Sequence, residues 1–217
     1  MKDLIVLVAD GNMRSGIESL LDRKESLGIR QISYDIGVHR GRDPGIYKGA
    51  VDYLRLLSNQ YSYALVFLDY EGSGQEKKQS LKIANEIKGK LERNSWKDRA
   101  EVIVIEPEFD IWVWAESPHT AKALGWDNYS ELRKWLFSRG FWEEDALKPS
   151  RPKEALEEAL KERNLKAGEK GIPRSSSIYG DIAKKVSLHR CKVPSFLKFR
   201  EILQKWFPKN EGDANVQ

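Results

Sequence analysis

The chain has 217 residues, 40% of them hydrophobic and 32% charged, so its composition excludes a disordered protein and suffices for one buried core. The formal net charge of +4 is mild, and basic residues alternate with acidic ones, which permits a nucleic-acid partner without requiring one. A single cysteine, Cys191, excludes a disulfide framework, and the apolar runs are too short for a signal peptide or a transmembrane helix, so we expect a cytoplasmic protein with no membrane partner.

Strands and helices are predicted to alternate in the N-terminal half. Apolar runs predict four strands, at Leu4–Ala9, Ile29–Ile36, Tyr63–Leu68 and Glu101–Ile105. Helical spacing predicts the helices between them, at Met13–Lys24, Tyr47–Ser58 and Gln75–Asn94. The third helix carries its apolar stripe at Leu81, Ala84, Ile87 and Leu91. This order predicts an α/β fold with a mostly parallel, Rossmann-like sheet of four strands flanked by helices.

After Pro107 the pattern becomes helical. The predicted helices are Phe109–Glu116, Thr120–Leu124, Ser130–Phe137, Lys153–Arg163, Ser177–Val186 and Ser195–Phe207. Segments 148–153 and 168–177 have loop-like composition. We expect one domain over residues 1–208, made of an α/β core over 1–106 and a helical extension over 107–208 packed on it. Residues 209–217 are expected to form a flexible tail.

Acidic residues follow two of the predicted strands. Asp10 ends the first strand, and Asp69 and Glu71 follow the third. Ligands of open α/β sheets bind beyond the carboxyl ends of the strands, where the strand order switches direction. If the first and third strands are neighbours, the three carboxylates converge there. Asp69 and Glu71 are two apart, so both side chains leave the same face of an extended segment.

Two explanations of these acids remain open. Carboxylates packed together repel one another, and a hard divalent cation such as Mg²⁺ relieves the repulsion. Alternatively, Asp10 caps a helix and Asp69 begins a turn, which are common positions for aspartate. The coincidence at two strand ends, with Gly11, Gly72 and Gly74 beside them, favours a site.

Two segments resemble motifs of the TOPRIM family. Residues 8–11, Val-Ala-Asp-Gly, resemble its first motif, in which the family usually has glutamate where this chain has Asp10. Residues 68–74, Leu-Asp-Tyr-Glu-Gly-Ser-Gly, resemble its second, Asp-x-Asp motif, with Glu71 in the second acidic position. The resemblance implies a parallel TOPRIM-like sheet that binds Mg²⁺ or Mn²⁺ for phosphodiester chemistry.

A larger part of the chain resembles a narrower group, TOPRIM-related bacterial proteins associated with phage defence, close to a component of the methylation-associated defence system. The matching segments are residues 42–45, 67–74, 105–114, 148–153 and 191–207. The resemblance implies an antiphage function, with other defence-system proteins as partners. It sets neither an oligomeric state nor a choice between DNA and RNA.

Acids after the fourth strand extend the predicted site. Glu106, Glu108 and Asp110 lie at the same expected edge, and related TOPRIM-like proteins carry an acid in this segment. Glu108 and Asp110 are therefore candidate metal ligands. Pro107 followed by Glu108 is also an ordinary helix start, and that alternative stays open.

Basic residues complete the predicted chemistry. In a metal-dependent nuclease, Asp10, Asp69 and Glu71 would hold the ions, and a cation such as Arg14 would stabilise transition-state charge. His39 is a candidate acid or base, although a loop histidine is more often simply solvated. Candidate nucleic-acid contacts are Arg40, Arg42, Lys148, Arg151 and Lys153, and a solvated basic rim is the alternative for the last three.

Three functions fit these features. The first is a metal-dependent nuclease or phosphoryl-transfer subunit. The second is a catalytically inactive TOPRIM-like subunit that binds nucleic acid or partner proteins, since the changed acids displace carboxylates by about one methylene. The third is a protein scaffold built on the aromatic-rich helical half. Most tryptophans are predicted to be core residues, and Cys191 is predicted to be buried and structural.

Overall fold

The computed structural model describes residues 1–167 and 175–209. Four parallel strands form one sheet in the order β2-β1-β3-β4. The strands are β1 (Lys2–Val8), β2 (Tyr34–Val38), β3 (Tyr61–Asp69) and β4 (Ala100–Ile105). The prediction of an α/β protein with a parallel four-stranded sheet is confirmed. The tail predicted to be flexible lies outside the described residues from position 210 onward.

Nine helices flank the sheet or follow it in the part of the chain that is described. The N-terminal half contains α1 (Gly11–Leu21), α2 (Lys24–Leu27), α3 (Arg42–Arg55) and α4 (Ser80–Leu91). The C-terminal half contains α5 (Pro118–Ala123), α6 (Tyr129–Ser138), α7 (Pro152–Ala167), α8 (Ser176–Lys185) and α9 (Pro194–Trp206).

The chain adds β2 on one side of β1 and then β3 on the other side, so the strand order reverses between β1 and β3. Leu7 pairs with Gly37 of β2 on one side and with Val66 of β3 on the other. Asp69 at the end of β3 pairs with Ile105 of β4. Since all four strands are parallel, their carboxyl ends share one edge, and the loops that follow β1 and β3 leave it at a topological switch point.

Several predicted boundaries are wrong. The second strand begins at Tyr34, because residues before it do not pair with β1; Ile29 instead forms an isolated antiparallel bridge with Pro208. Helix α3 spans Arg42–Arg55 and therefore begins five residues before its predicted start at Tyr47. The helix predicted over Phe109–Glu116 is a single 3₁₀ turn over Phe109–Trp112.

Helix α4 also differs from its prediction. It begins at Ser80, because a loop containing Gly72 and Gly74, both with positive φ, precedes it. Its buried stripe contains Ile83, Ala84, Ile87 and Leu91. Leu81 was predicted to belong to this stripe, but it lies in the first turn on the solvent side and is 64% exposed.

The C-terminal helices pack on the α/β half. Helix α8 lies against α1 so closely that a Cβ at Gly180 would come within 2.8 Å of the Ser15 hydroxyl. Helix α9 covers one sheet face, where Phe199 meets Phe67 with ring centroids 5.6 Å apart. Three predicted core tryptophans, Trp112, Trp114 and Trp142, are buried, as is Cys191, and Trp126, Trp135 and Trp206 are half-buried. Among the described helices, none has the length and apolar character needed to cross a membrane.

Candidate functional site at the carboxyl edge of the sheet

Asp69 occupies the centre of the carboxyl edge. It is the last residue of β3, and its side chain is half-buried. Its backbone N–H donates a hydrogen bond of 2.7 Å to Asp43 Oδ1. Its own Oδ1 accepts a hydrogen bond of 2.7 Å from the backbone N–H of Phe109. One aspartate therefore connects the first turn of α3, the end of β3 and the segment after β4.

Neighbouring carboxylates disfavour the ionised form of Asp69. Burial is the largest cause that raises its pKa well above the ordinary value of 3.8, and the negative charges of Asp43, Asp110 and Glu108 raise it further. The Phe109 N–H acts in the opposite direction. Burial also raises the pKa of Asp43, and the charge of Asp10 adds to the effect. The structure therefore groups these five acids electrostatically at one edge.

Asp10 has a structural role at this edge. Its Oδ1 accepts a hydrogen bond of 2.9 Å from the backbone N–H of Met13, and it is the N-cap of α1. The capping alternative is therefore confirmed. The cap does not separate Asp10 from the acidic group, because its charge still raises the pKa of Asp43.

The acids after β4 lie at the same edge. Glu108 immediately precedes the 3₁₀ turn and is half-buried. Asp110 is only 2% exposed, and its Oδ1 accepts a hydrogen bond of 2.6 Å from the Tyr179 hydroxyl on α8. The predicted proximity of Glu108 and Asp110 to Asp69 agrees with the influence of both on the pKa of Asp69.

Glu71 lies just beyond the strand end. The strand ends at Asp69, and a bend at Tyr70 follows it. Glu71 is exposed after that bend, and its backbone N–H donates to the Pro107 carbonyl at 2.9 Å. The alternation of side chains along a strand therefore does not extend to Glu71, and the prediction that it shares a face with Asp69 stays a prediction.

Asp43 is the site residue that sequence reasoning missed. It was part of a resemblance segment, residues 42–45, but was assigned no role. The available signal was its position shortly after the second strand, at the edge where the first and third strands also end. Because α3 begins at Arg42, Asp43 lies in a first helical turn and extends toward the end of β3.

The basic candidates Arg14, Arg40 and Arg42 lie on the segments that follow β1 and β2. Arg14, on α1, is exposed, as are Arg40 and Arg42 in the loop and first turn after β2. Arg42 is near enough to lower the pKa of Asp43 slightly against the larger effect of burial. These three side chains are accessible to a ligand in solution.

His39 is held in place by the glycines of α3. Its backbone N–H donates to the Val8 carbonyl at 2.9 Å, and its Nδ1 accepts a hydrogen bond of 3.1 Å from the Gly41 N–H. A Cβ at Gly45 would lie 2.3 Å from Nδ1, and a Cβ at Gly49 would lie 3.0 Å from Nε2. The imidazole therefore occupies space that only glycine leaves open, and the hydrogen bond makes Nδ1 an acceptor.

The remaining predicted contacts lie in the helical half. Lys148 is largely buried, and its Nζ donates to the carbonyls of Trp114 and Ile111. Burial lowers its pKa. The predicted role of Lys148 in a phosphate track does not agree with an ammonium group that binds the chain's own carbonyls. Arg151 is exposed, with its guanidinium 5.5 Å from the Phe141 ring, and Lys153 is half-buried.

The donor set suits a hard cation, although its geometry is open. Among the described residues, no three acidic, histidine or cysteine side chains are already arranged to hold a metal ion. The hydrogen bonds of Asp10, Asp43 and Asp69 each engage Oδ1, and a carboxylate has a second oxygen with lone pairs. Oxygen donors suit Mg²⁺ and Mn²⁺, and Mg²⁺ takes one or two carboxylates with waters and phosphate oxygens. The side chains that could hold such an ion at this edge are those of Asp10, Asp43 and Asp69.

Three comparisons were made with known proteins. No family model, no curated protein and no solved structure matches the chain.

Proposed function

We propose that this protein binds Mg²⁺ or Mn²⁺ at the carboxyl edge of its sheet and acts on nucleic acid there, as a TOPRIM-like nuclease or phosphoryl-transfer subunit. The observation that supports the proposal is the position of Asp69, whose carboxyl group lies among other acids at a topological switch point. Burial and three negative neighbours raise its pKa. A divalent cation converts such repulsion into attraction.

The ligand set that we propose differs from the one that the motifs imply. Asp69 and Asp43 are the central pair, because a hydrogen bond joins their segments. Asp10 contributes from the N-terminus of α1, and Glu108 from the segment after β4. Glu71 is left out, because its exposed side chain lies in the turn beyond β3.

The chain's own residues have distinct roles in this proposal. A bound divalent ion polarises phosphoryl oxygens and lowers the pKa of water. Asp43 and Asp69 would hold the ion, and backbone hydrogen bonds fix the segments that carry them. Arg14, Arg40 and Arg42 are exposed around the edge and attract the phosphate backbone. His39, with Nδ1 held as an acceptor, has Nε2 as its N–H donor in the neutral ring.

Calorimetric titration of Mg²⁺ and Mn²⁺ tests the proposal. Wild type is expected to show saturable binding that Asp43→Asn or Asp69→Asn abolishes. Glu71→Gln is the matched control, because it removes an exposed acid two residues beyond the strand end, and it is expected to bind normally. Loss of binding in Glu71→Gln alone would favour the motif-based ligand set over the proposed one.

Cleavage assays then separate catalysis from binding. Labelled single-stranded DNA and RNA are incubated with wild type and Asp69→Asn in Mg²⁺ or Mn²⁺. Cleavage that requires both the metal and Asp69 supports the nuclease. Absence of saturable metal binding, even with oligonucleotide present, would contradict the proposal.

A catalytically inactive subunit that recognises nucleic acid or a partner protein is the second candidate. The open arrangement of the carboxylates and the use of Asp10 as a helix cap favour it. Its signature is oligonucleotide binding that is unchanged by chelation of divalent ions. The antiphage setting that we propose for either function is supported by resemblance alone, and deletion of the gene followed by phage challenge tests it.

A further inference from the structure

A basic cavity of about 400 Å³ lies between α5, α7 and α8. Its cationic residues come from all three helices: Lys122, Arg163 and Lys185. Asp181 is the carboxylate among its lining residues. A volume of this size lies within the range of small-ligand pockets. The excess of positive charge indicates an anionic ligand.

The two lysines are available for such a ligand. Lys122 and Lys185 are both exposed, and neither forms an ion pair within residues 1–167 and 175–209. Arg163 makes one long hydrogen bond, of 3.4 Å, from Nη1 to the Ala123 carbonyl. Its aliphatic stem packs against Gly125, where a Cβ would come within 2.3 Å. The guanidinium is therefore positioned at the wall, and no carboxylate of the described residues forms an ion pair with it.

The start of α8 adds hydrogen-bond donors to the same cavity. Ser175 is the N-cap residue of this ten-residue helix, but its side chain makes no capping hydrogen bond, and its Oγ lies 2.8 Å from Ser177 Oγ. Ser175 and Ser177 both line the cavity. The N–H groups of a first helical turn and two serine hydroxyls are suitable donors for phosphate oxygens.

The cavity is adjacent to the acidic edge. Ser176 lies between the two cavity serines, and its Oγ donates a hydrogen bond of 2.9 Å to Asn12 Oδ1, two residues after Asp10. One turn later on α8, Tyr179 donates to Asp110. The first turn of α8 therefore lies between the cluster of acids at the carboxyl edge and the basic cavity.

We propose that the cavity binds a backbone phosphate of the nucleic-acid strand whose reactive phosphodiester lies at the carboxylate edge. This inference rests on the proposed function and extends it, because it assigns Lys122, Arg163 and Lys185 as a second phosphate subsite. At the carboxyl edge, a bound cation would lie between the acids and the phosphate. In the basic cavity, the cationic side chains would contact the phosphate directly. A strand held at both places is aligned across the start of α8.

Fluorescence anisotropy of a labelled single-stranded oligonucleotide in metal-free buffer tests the subsite. The double variant Lys122→Gln/Lys185→Gln is expected to weaken binding at least about fivefold at ~0.1 M salt and to reduce the slope of log K against log salt by about 0.7, the contribution of one phosphate contact in a single strand. Asp181→Asn removes the opposing charge from the same cavity and is expected to strengthen binding.

The matched control is Lys97→Gln/Lys205→Gln. It removes the same charge from two exposed lysines, one just before β4 and the other in the last turn of α9. Both double variants are expected to retain the wild-type melting temperature, because all four side chains are exposed. Equal weakening in the two double variants would overturn the subsite, since the effect would then be general charge.

Two further outcomes separate this inference from the function on which it rests. If wild type binds oligonucleotide and Mg²⁺ but the cavity variant matches wild type, the subsite is overturned and the metal-dependent function stands. If wild type binds no oligonucleotide either in metal-free buffer or with saturating Mg²⁺, both are overturned. Displacement of the oligonucleotide by inorganic phosphate at matched phosphate concentration would assign the cavity to a small anion and overturn the polynucleotide subsite.

Discussion

The carboxylate of Asp43 accepts the backbone N–H of Asp69 at 2.7 Å, so two acids adjoin at the end of a buried strand. Such an arrangement places negative charge where protein atoms and neighbouring carboxylates both disfavour it. Clustered acids with raised pKa values are common at active sites, where burial and neighbouring like charges tune those pKa values. Three substitutions at these two residues, Asp69→Asn, Asp43→Ala and Asp43→Asn, have separable effects.

Asp69→Asn is expected to stabilise the metal-free protein at neutral pH. The pKa of Asp69 in the folded state lies above the ordinary value of 3.8, so the folded state binds more protons than the unfolded state above that pH. The free energy of unfolding therefore falls as pH rises from about 4 through the folded-state pKa. Asparagine keeps the oxygen that accepts the Phe109 N–H and has no such dependence.

Melting temperatures in a chelator from pH 4 to pH 8 measure this effect. The two proteins are expected to melt alike near pH 4, and the variant to melt at least about 3 °C higher at pH 8, which corresponds to about 1 kcal/mol for a chain of this size. Asp52→Asn, an exposed site on α3, is the control. A constant difference at every pH would contradict the assignment.

Asp43→Ala and Asp43→Asn are expected to differ in stability. Alanine leaves the backbone N–H of Asp69 without its acceptor, and an unsatisfied buried donor costs about 1–3 kcal/mol. Asparagine retains Oδ1 and is expected to cost less, although both variants lose the charge. Urea unfolding measures the difference. Equal losses in the two variants would show that charge, and not the hydrogen bond, stabilises this junction.

Gly45→Ala is expected to displace the imidazole of His39. The new methyl group would lie 2.3 Å from Nδ1, and such overpacking typically costs about 1–3 kcal/mol. Gly89→Ala is the matched control on α4, because its Cβ would lie 3.6 Å from the nearest atom, Arg93 Nη1. That control is expected to stabilise the helix by up to about 1 kcal/mol.

Nuclear magnetic resonance provides a second measure of the Gly45 effect. Long-range ¹H–¹⁵N spectra report which imidazole nitrogen carries the proton. Wild type is expected to show His39 with its proton on Nε2, because Nδ1 accepts from Gly41. Gly45→Ala is expected to lose that single state. An unchanged His39 spectrum in the variant would contradict the close approach.

Lys148→Met is expected to affect stability and to leave nucleic-acid binding unchanged. Methionine leaves the carbonyls of Ile111 and Trp114 without their donor, at a cost of about 1–3 kcal/mol. Burial lowers the pKa of Lys148 below its ordinary 10.5, so the folded state binds fewer protons and stability rises with pH between those two values. The variant is expected to lose that rise.

Urea unfolding at pH 7 and pH 10, with Lys153→Met as control, measures this effect. Lys153 is the neighbouring half-buried lysine that forms no ion pair within the described parts of the chain. If Lys148→Met reduces the slope of log K against log salt for oligonucleotide binding, then Lys148 contacts a phosphate, as the sequence analysis predicts.

Short-range patterns allowed the sheet to be predicted. Continuous apolar runs identify β1, β3 and β4 to within two residues at each end, because the buried centre of each strand is apolar. The second strand was placed too early, since Ile29 and Ile32 are as buried as strand residues yet belong to the connection before β2. Burial explains their apolar character, and burial alone does not specify pairing.

The candidate site was predictable only in part. Asp10 and Asp69 follow apolar runs, so their edge could be predicted from the alternation of strands and helices. Asp43 approaches Asp69 across 26 positions because β3 lies beside β1 and α3 packs over both, a relationship that local spacing does not contain. The turn that follows Asp69 depends on hydrogen bonds to Pro107 and within residues 70–75, which periodicity in the sequence does not reveal.

The close packing of α8 on α1 has a consequence for the order of events during synthesis. The surface of α1 around Gly16 is covered by Phe109 and by Tyr179 of α8, and α8 follows all four strands in the chain. A nascent chain that has completed all four strands still exposes the part of α1 that α8 covers. The acidic edge and the basic cavity therefore come together only after residues 176–185 have been synthesised.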